Sequence, residues 1–364
     1  MKRTSLAVVG GFLGAGKTTS ILNIAKYLIG EGKKIGIVTN DQGSELVDTN
    51  FLLQSGLPVL EVTGGCFCCN FEEFANKVNE LSKSSMPDII LAEPVGSCTD
   101  LIATIFKPIK QKYTKEFSLS PLSIIADPKR VKKLMMEDES SPFPSEINYL
   151  FKKQLEEADI IVLNKIDILS EAERDCIVSF LKEKCKGIDV LQVSAKTGFG
   201  MKDWINLIDS SSFHVKPSLD IDYETYAAAE GHLGWLNSTV LLNSKEPHDA
   251  NIFITELMEH IKKDLINRNI EIAHLKIYEI TDNDFAKASL TSIYDNIDFN
   301  KKMDENVSTA RLIINARINT SPDILKDVVE DALKVSCSIN NILTSDYKVE
   351  CFKPKKPKPK YRIK

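Results

Sequence analysis

The ten residues Gly10–Thr19, with the sequence GGFLGAGKTT, decide the fold of this chain. They contain the pattern G-x-x-x-x-G-K-[ST], in which a glycine-rich turn precedes a lysine and a hydroxyl residue. The apolar run Leu6–Val9 comes before the motif and predicts a buried strand, and the amphipathic segment 21–28 after it predicts a helix. Strand, glycine-rich loop and helix in this order form the context of a phosphate-binding loop. A glycine-rich turn that binds nothing is the alternative, and it leaves the complete motif unexplained.

The loop is predicted to bind the phosphates of a nucleotide. Glycines let the backbone N–H groups converge on phosphate oxygens, and the N-terminus of the following helix adds positive potential. Lys17 is expected to reach the terminal phosphates, and the Thr18 hydroxyl is expected to bind Mg²⁺. The predicted phosphate site consists of Gly11, Gly14, Ala15, Gly16, Lys17, Thr18 and Thr19.

Composition limits the class of protein. A chain of 364 residues has room for roughly two domains of about 150 residues each. Its net charge of −5 argues against a general nucleic-acid or membrane-surface binder. No apolar run approaches the roughly 20 residues of a membrane span, and no export signal accompanies the eight cysteines. We therefore expect a cytoplasmic protein.

Apolar runs that alternate with helical patterns define the fold class. After the first strand, six more are predicted, at 34–40, 58–63, 88–92, 122–126, 160–163 and 190–193. Continuous apolar strands between helices are typical of a mostly parallel sheet covered on both faces. We predict an α/β protein whose P-loop NTPase domain spans residues 1–212.

The rest of the chain predicts a linker, a second domain and a tail. The segment 213–230 is polar and is interpreted as a linker. Strand and helix patterns over 231–352 predict a smaller α/β domain. At its start, His232 and Trp235 lie between glycines, either as a partner contact or as an aromatic anchor. The basic, proline-rich segment 353–364, KPKKPKPKYRIK, is predicted to be extended and disordered.

Polar residues follow the ends of two predicted strands, where ligands gather in parallel sheets. Asp41 follows the second strand and would face magnesium or the attacking water, or it is an ordinary turn aspartate. Glu93 and Gly96 follow the fourth strand in the sequence EPVG. The carboxylate can hold the magnesium shell, and the glycine can bring a backbone N–H to the terminal phosphate. With Lys17, these three residues form the predicted catalytic set.

A second motif predicts the choice of base. The sixth strand ends in Asn164-Lys165-Ile166-Asp167. The Asp167 carboxylate can accept the adjacent N1–H and N2–H₂ donors of guanine, which adenine lacks, so GTP is favoured over ATP. The tripeptide 194–196, SAK, ends the seventh strand and completes a base pocket, or it is only a strand-to-helix turn. The predicted base site is Asn164, Lys165, Asp167, Ser194, Ala195 and Lys196.

A cysteine cluster follows the third strand. Cys66, Cys68 and Cys69 lie within GGCFCC, and in a reducing compartment they suggest metal or redox chemistry rather than a structural disulfide. In a regular strand, Cys66 and Cys68 would start roughly 6.5 Å apart. Because zinc holds its sulfur ligands roughly 3.8 Å apart, the chain must curl after Gly64-Gly65, which glycines permit. The open fourth position would take solvent, a nearby carboxylate or a second subunit. The other five thiols are scattered, and most of them are interpreted as packing or incidental surface groups: Cys98, Cys176, Cys185, Cys337 and Cys351.

Six motifs occur along the chain in the order GGFLGAGKTT, TNDQG, GGCFCC, EPVG, NKID and SAK. In these motifs the chain resembles the CobW/HypB/UreG family of P-loop GTPases, above all its CobW-type members. The resemblance implies a GTP-dependent metallochaperone with low intrinsic GTPase activity and nucleotide-coupled dimerisation. It also implies Thr18 and Glu93 as Mg²⁺ ligands. The implied transition-metal ligands are Cys66, Cys68 and Cys69, with zinc first and cobalt or nickel as alternatives. Many CobW-type members have N-E-F-G where this chain has Asn40-Asp41-Gln42-Gly43. The chain also has no histidine-rich tract.

Two hypotheses about function follow. In the first, the protein hydrolyses GTP and delivers a transition metal to a client metalloprotein or cofactor pathway. In the second, it is a GTP-driven activator of a cofactor-dependent enzyme, such as a corrinoid methyltransferase, without metal transfer. A translation or signalling GTPase would leave the cysteine cluster unexplained. The expected partners are the client and a nucleotide-dependent second copy, with no nucleic acid and no membrane.

Overall fold

The computed structural model describes residues 3–40, 52, 56–137, 141–209 and 214–364. Within them the chain forms two compact units. The first contains the residues up to Ala229 together with Lys356–Lys364, and the second contains Glu230–Lys355. Among these residues, no helix combines the length and the apolar character that crossing a membrane requires.

The first unit is built around a parallel sheet. Its strands are β1 (Thr4–Gly11), β2 (Ile35–Asn40), β3 (Val59–Val62), β4 (Ile89–Glu93), β5 (Phe117–Leu119), β6 (Ser123–Ala126), β7 (Ile160–Leu163) and β8 (Asp189–Gln192). They lie in the order β3-β2-β4-β1-β6-β7-β8, and β5 also pairs with β1. Every residue of β2, β4, β6 and β7 is buried, as in a sheet covered on both faces. The predicted fold class is confirmed.

Helices lie between the strands of this sheet, and the last two helices of the first unit follow its last strand. They are α1 (Lys17–Gly30), α2 (Phe71–Ser84), α3 (Lys107–Lys112, after a π-helical turn Ile102–Phe106), α4 (Pro128–Val131, before a π-helical turn Lys132–Met136), α5 (Ser145–Glu157), α6 (Glu171–Lys184), α7 (Met201–Ile208) and α8 (Tyr223–His232). Helix α1 buries Ile21, Ile24 and Leu28 in the same core as Ala7 and Val9 of β1. This packing fixes the helix directly behind the loop Gly10–Thr19.

The second unit is an antiparallel sheet with helices. Its elements are β9 (Gly234–His248), α9 (Ala250–Asn267), β10 (Ile272–Ile280), β11 (Phe285–Leu290), β12 (Asp298–Lys301), β13 (Val307–Ile318), α10 (Pro322–Ile339) and β14 (Ile342–Phe352). The strand order is β12-β11-β10-β13-β9-β14. Both helices bury apolar residues in one core with the sheet, including Leu257 of α9 and Val329 of α10. Trp235 is 1% exposed within this unit and packs on Arg317, which favours the aromatic anchor over a partner contact.

The predicted linker and the predicted disordered tail both differ from those predictions. The segment 213–230 contains most of α8, because Asp222 accepts a hydrogen bond from the backbone N–H of Glu224 and Tyr226 is fully buried. The segment 353–364 has no helix or strand, but residues 356–364 belong to the first compact unit instead of being disordered in solvent. Its composition predicts disorder only for a chain without a partner, and here backbone N–H groups and cationic side chains find acceptors on the folded surface.

Candidate functional site

The phosphate loop connects β1 to α1 through glycines that no other residue can replace without strain. Gly11 has φ +135° and Gly16 has φ +96°, both in the region that favours glycine. A Cβ atom at Gly11 would overlap the carbonyl oxygen of Ile125, and one at Gly16 would lie 2.5 Å from Asn164 Nδ2. The loop therefore has the compact form that directs backbone N–H groups toward a phosphate.

Lys17 and Thr18 begin helix α1 and face two different partners. The Lys17 Nζ donates to the carbonyl oxygens of Gly11 at 3.0 Å and Phe12 at 3.3 Å, so the ammonium group folds over the loop. The Thr18 hydroxyl donates to Glu93 Oε1 at 3.0 Å, and the Glu93 side chain is buried. A hydroxyl beside a carboxylate is an all-oxygen donor set of the kind that Mg²⁺ prefers, so these two residues fit that ion.

The segment after β4 contacts the phosphate loop at a second point. Gly96 packs so closely on Leu13 that a Cβ atom would lie 3.1 Å from the Leu13 backbone nitrogen. The Gln154 Nε2 donates to the carbonyl oxygen of Gly96 at 3.0 Å and holds this segment from helix α5. The catalytic roles of Glu93 and Gly96 stay predictions. The role of Asp41 does too, and this residue lies outside the described residues.

The predicted base site converges at the ends of β7 and β8. Asp167 is exposed, and its Oδ1 accepts a hydrogen bond from the Ser194 hydroxyl at 2.6 Å. Asn164 is buried instead: its Nδ2 donates to Ala15 O at 2.9 Å, and its Oδ1 accepts from Ala195 N at 2.9 Å. The asparagine thus joins the phosphate loop to the segment 194–196, while Asp167 is the carboxylate presented to solvent. Their contribution to guanine binding stays a prediction.

Lys165 bridges the same two regions. Its Nζ donates to Gly14 O at 2.8 Å and forms an ion pair with Asp127 Oδ2 at 2.8 Å. Burial alone would raise the pKa of Asp127, but the Lys165 ammonium, together with the charge of Arg130 and the backbone N–H of Lys129, lowers that pKa. Asp127 also accepts from Lys129 N at 2.8 Å and so caps helix α4. Sequence reasoning missed Asp127, although an aspartate before a proline at a strand end is a helix-start signal.

The three clustered thiols come together in a tight turn. Cys66 Sγ lies 2.8 Å from Cys68 Sγ and 3.2 Å from Cys69 Sγ, and all three sulfurs lie within 4.8 Å of one another. Gly64 has φ +73° and Gly65 has φ +157°, and this bend produces the curl expected from the sequence. Clustered cysteine sulfurs form a soft donor set suited to zinc and other thiophilic metals.

Asn40, the last residue of β2, fixes this turn to the sheet. Its Nδ2 donates to Gly65 O at 2.8 Å, and its Oδ1 accepts from Phe67 N at 2.8 Å. One side chain thereby holds the backbone on both sides of Cys66. Sequence reasoning named Asn40 only as part of a motif and did not assign it this contact.

Cys98 is the thiol that sequence reasoning placed wrongly among the scattered cysteines. It is 1% exposed, and its side chain hydrogen-bonds to both Cys66 and Cys68. Hydrogen bonds from Cys68, Cys69 and Cys98 lower the pKa of Cys66 well below its usual range. The cluster therefore favours one thiolate, on Cys66, surrounded by thiol donors. The available signal was position, because Cys98 follows the carboxyl end of β4 two residues after Gly96.

Residues 5–192 match the family model described as CobW/HypB/UreG, nucleotide-binding domain. The chain belongs to the CobW/HypB/UreG family. A relative named zinc chaperone CobW, from Sinorhizobium sp, is 33% identical over 200 residues, which are 49% of this chain and 56% of that protein. The zinc chaperone YeiR of Escherichia coli K12 is 34% identical over 170 residues, 46% of this chain and 47% of YeiR.

Solved structures include the Zn(II)-bound YjiA GTPase from E. coli, which is 15% identical to this CobW/HypB/UreG family member. The comparison covers 93% of this chain and 99% of YjiA, with a TM-score of 0.37. The chain spans about half the length of the curated relatives it matches.

In this family member, residues 356–364, here named the strap, cross the cysteine turn. Lys358 N donates to Cys69 Sγ at 3.2 Å, and Lys360 N donates to Cys68 O at 2.9 Å. Tyr361 then meets the Phe71 ring edge-on, with centroids 5.2 Å apart. The strap therefore covers the partly exposed side of the cluster, the side of Cys69.

An ion pair anchors the far end of the strap. Arg362 Nε donates to Asp100 Oδ2 at 2.6 Å, and Asp100 is 1% exposed. The Tyr223 hydroxyl donates to the same oxygen at 2.7 Å, and Ile363 N donates to Ala103 O at 3.0 Å. Because removing one partner of a buried ion pair is strongly destabilising, this contact holds the strap in place.

Proposed function

We propose that this protein is a GTP-binding and GTP-hydrolysing metallochaperone that delivers a transition metal to a client metalloprotein or cofactor enzyme. The observation that carries the proposal is the grouping of three thiols within 4.8 Å on a loop fixed to the end of β2. Zinc is the first candidate, since it takes sulfur ligands and the curated relatives are named zinc chaperones. Cobalt and nickel are the alternatives.

The nucleotide half of the mechanism relies on positioning and charge. In GTP hydrolysis, water attacks the γ-phosphorus, the bond to the β–γ bridging oxygen breaks, and GDP and phosphate leave. Lys17 would neutralise the phosphate oxygens, and backbone N–H groups of the loop and of Gly96 would hold them. Thr18 and Glu93 would hold Mg²⁺, which supplies further neutralisation of the developing charge. No side chain becomes covalently linked to the substrate.

The metal half relies on the thiols. The metal is cargo, bound by Cys66, Cys68 and Cys69 and then passed to the client. Binding requires loss of thiol protons, and the depressed pKa of Cys66 supplies the first thiolate. Because the phosphate loop and the thiol turn lie at the carboxyl ends of strands in one sheet, nucleotide and metal affinities are expected to be linked. Linkage is reciprocal, so metal would change GTP affinity by the same factor.

A metal titration tests the proposal. Zn²⁺ affinity is measured by competition with a chromophoric chelator, with a non-hydrolysable GTP analogue or with GDP present. The parent should bind near-stoichiometric metal with different affinity in the two nucleotide states. The Cys66→Ser/Cys68→Ser protein should lose this binding, while Lys17→Ala should keep metal binding and lose the difference between nucleotides.

Cys176→Ser/Cys185→Ser is the matched control, because it removes two thiols outside the cluster. Equal metal affinity for the parent and the Cys66→Ser/Cys68→Ser protein in both nucleotides would overturn the metallochaperone. The GTP-driven activator of a cofactor-dependent enzyme would then be the better hypothesis. A nucleotide-dependent homodimer, the identity of the client and a cytoplasmic location stay predictions.

A further inference from the structure

We propose that Cys98 is the fourth sulfur ligand of the metal, completing a Cys₄ site with Cys66, Cys68 and Cys69 in one nucleotide state. The inference rests on the proposed function, since it assigns a further residue to that site. It replaces the solvent, carboxylate or second-subunit ligand expected from the sequence.

The first support is contact. Cys98 hydrogen-bonds to the thiols of Cys66 and Cys68, which are themselves 2.8 Å apart. A tetrahedral zinc site with bonds of about 2.3 Å holds its sulfurs roughly 3.8 Å apart. An ion that enters among these thiols therefore has to separate the Cys66 and Cys68 sulfurs by about one further ångström, which side-chain rotation can supply, whereas Cys68 and Cys69 are already 3.9 Å apart. Cys98 contacts Cys66 and Cys68 but lies outside the group of three sulfurs that are all within 4.8 Å of one another, so its thiol has to move toward Cys69 when the metal binds.

Burial gives the second support. Cys66, Cys68 and Cys98 are 4%, 2% and 1% exposed, whereas Cys69 is partly exposed. Solvent therefore approaches from the Cys69 side, where the strap residue Lys358 donates its backbone N–H to the Cys69 sulfur. On the buried side, the Cys98 thiol contacts Cys66 and Cys68.

The third support is the element that carries Cys98. The other three ligands lie on the turn after β3, but Cys98 lies on the segment after β4, two residues beyond Gly96. That segment touches the phosphate loop through the Glu93–Thr18 hydrogen bond and the close approach of Gly96 to Leu13. The metal site would thus draw ligands from two segments, and one of them contacts the nucleotide loop.

One hydrogen-bonded side chain keeps this segment in shape. Gln154 Nε2 donates to Gly96 O at 3.0 Å and to Cys98 O at 2.8 Å, and Cys98 N donates to Val95 O at 2.9 Å. A displacement of Gly96 at the phosphate loop is therefore passed directly to Cys98. When the segment withdraws, the site loses one thiolate and becomes an open three-sulfur site. Catalytic zinc sites keep such an open position, and it gives a client ligand a place to attack.

Zinc X-ray absorption on the full chain tests the ligand count. The parent should show four sulfurs at about 2.3 Å in one of the two nucleotide states, and Cys98→Ala should show three sulfurs and one lighter atom at about 2.0–2.2 Å in both. Zinc affinity should fall at least about tenfold in Cys98→Ala, and its difference between a GTP analogue and GDP should disappear. Cys98→Ser gives a second, polar replacement, and circular dichroism of both apo variants shows whether they fold.

Cys185→Ser is the matched control, because it changes another buried thiol of the first unit and should leave ligand count and affinity at the parent values. A parent that binds zinc through three sulfurs in both nucleotide states, with Cys98→Ala unchanged, overturns this inference and leaves the metallochaperone standing. A parent that binds no zinc overturns both. Four sulfurs that persist in Cys98→Ala assign the fourth ligand elsewhere and also overturn it.

Discussion

Glu157, the last residue of helix α5, is a buried carboxyl group whose ionisation should govern how stability depends on pH. Burial, and then the negative charge of Asp100, raise the pKa of Glu157 to about 8. The Thr99 hydroxyl donates to Glu157 Oε1 at 3.1 Å, and the backbone N–H of Ile102 lies 3.5 Å from Oε2. At neutral pH the folded protein therefore holds a proton on this side chain.

The free-energy consequence follows from proton binding. In the unfolded chain, Glu157 ionises near its ordinary pKa of 4.5, so between pH 4.5 and about 8 the native state binds one more proton than the unfolded state. The free energy of unfolding then falls as pH rises, by about 1.4 kcal/mol per pH unit. From pH 5.5 to 7.5 this amounts to about 3 kcal/mol, and the slope from this group ends above pH 8.

The variant Glu157→Gln removes the titration and keeps the shape. Its amide oxygen can accept from the backbone N–H of Ile102, and its amide nitrogen can donate to the Thr99 hydroxyl, which turns to accept. We expect the stability of the variant, measured relative to the parent, to rise by about 3 kcal/mol between pH 5.5 and 7.5.

Urea unfolding at several pH values measures the difference. Both proteins carry Trp235→Phe, so that the fluorescence of Trp204, buried in the first unit with its Nε1 on Ser123 Oγ at 2.9 Å, reports on that unit alone. Glu156→Gln, a more exposed change on the same helix, is the control. A difference between variant and parent that stays constant from pH 5.5 to 7.5 would refute the protonation argued for Glu157.

Two other perturbations test the site. Asp167→Asn replaces one acceptor oxygen of the carboxylate that accepts from Ser194 with a donor amide. Competition binding should then show GTP affinity reduced by about tenfold or more and affinity for XTP increased. An unchanged preference for GTP would contradict the base assignment. Deletion of residues 356–364 removes the Lys358 contact to Cys69, so a thiol reagent should modify the metal-free protein severalfold faster. Lys353→Ala is the control, because it leaves the strap intact. Equal rates in the deletion and the parent would show that the strap does not protect the cluster.

Local patterns in the sequence were enough for the parallel sheet and for the ends of its strands. The run 160–163 is apolar throughout and became β7 with the same bounds, because a strand buried on both faces needs an uninterrupted apolar segment. The curl at Gly64-Gly65 was likewise predictable, since only that backbone brings the neighbouring thiols together. These features depend on residues that lie close together along the chain.

Hydrophobic patterns in the sequence did not predict the strands that have a polar, exposed face. Strand β14 exposes most of its residues, and it forms because its backbone pairs with β9 at the edge of the second sheet. Strand β12 was missed for the same reason, since it is short and half exposed at the other edge of this sheet. Pairing at a sheet edge depends on which strand lies beside it, and the hydrophobic periodicity of a segment does not indicate that neighbouring strand.

The sequence by itself determined the phosphate loop, the α/β class and the three-cysteine turn, because each follows from local backbone geometry and burial. Only the tertiary structure decided that Cys98 reaches the same thiols and that Lys358 covers Cys69, which it follows by 289 positions. A lysine- and proline-rich segment has too little apolar surface to order itself. It becomes ordered where the folded first unit offers Asp100, Ala103 and the cysteine turn as hydrogen-bond acceptors. Strand order and loop closure bring those acceptors together, and local sequence does not determine either.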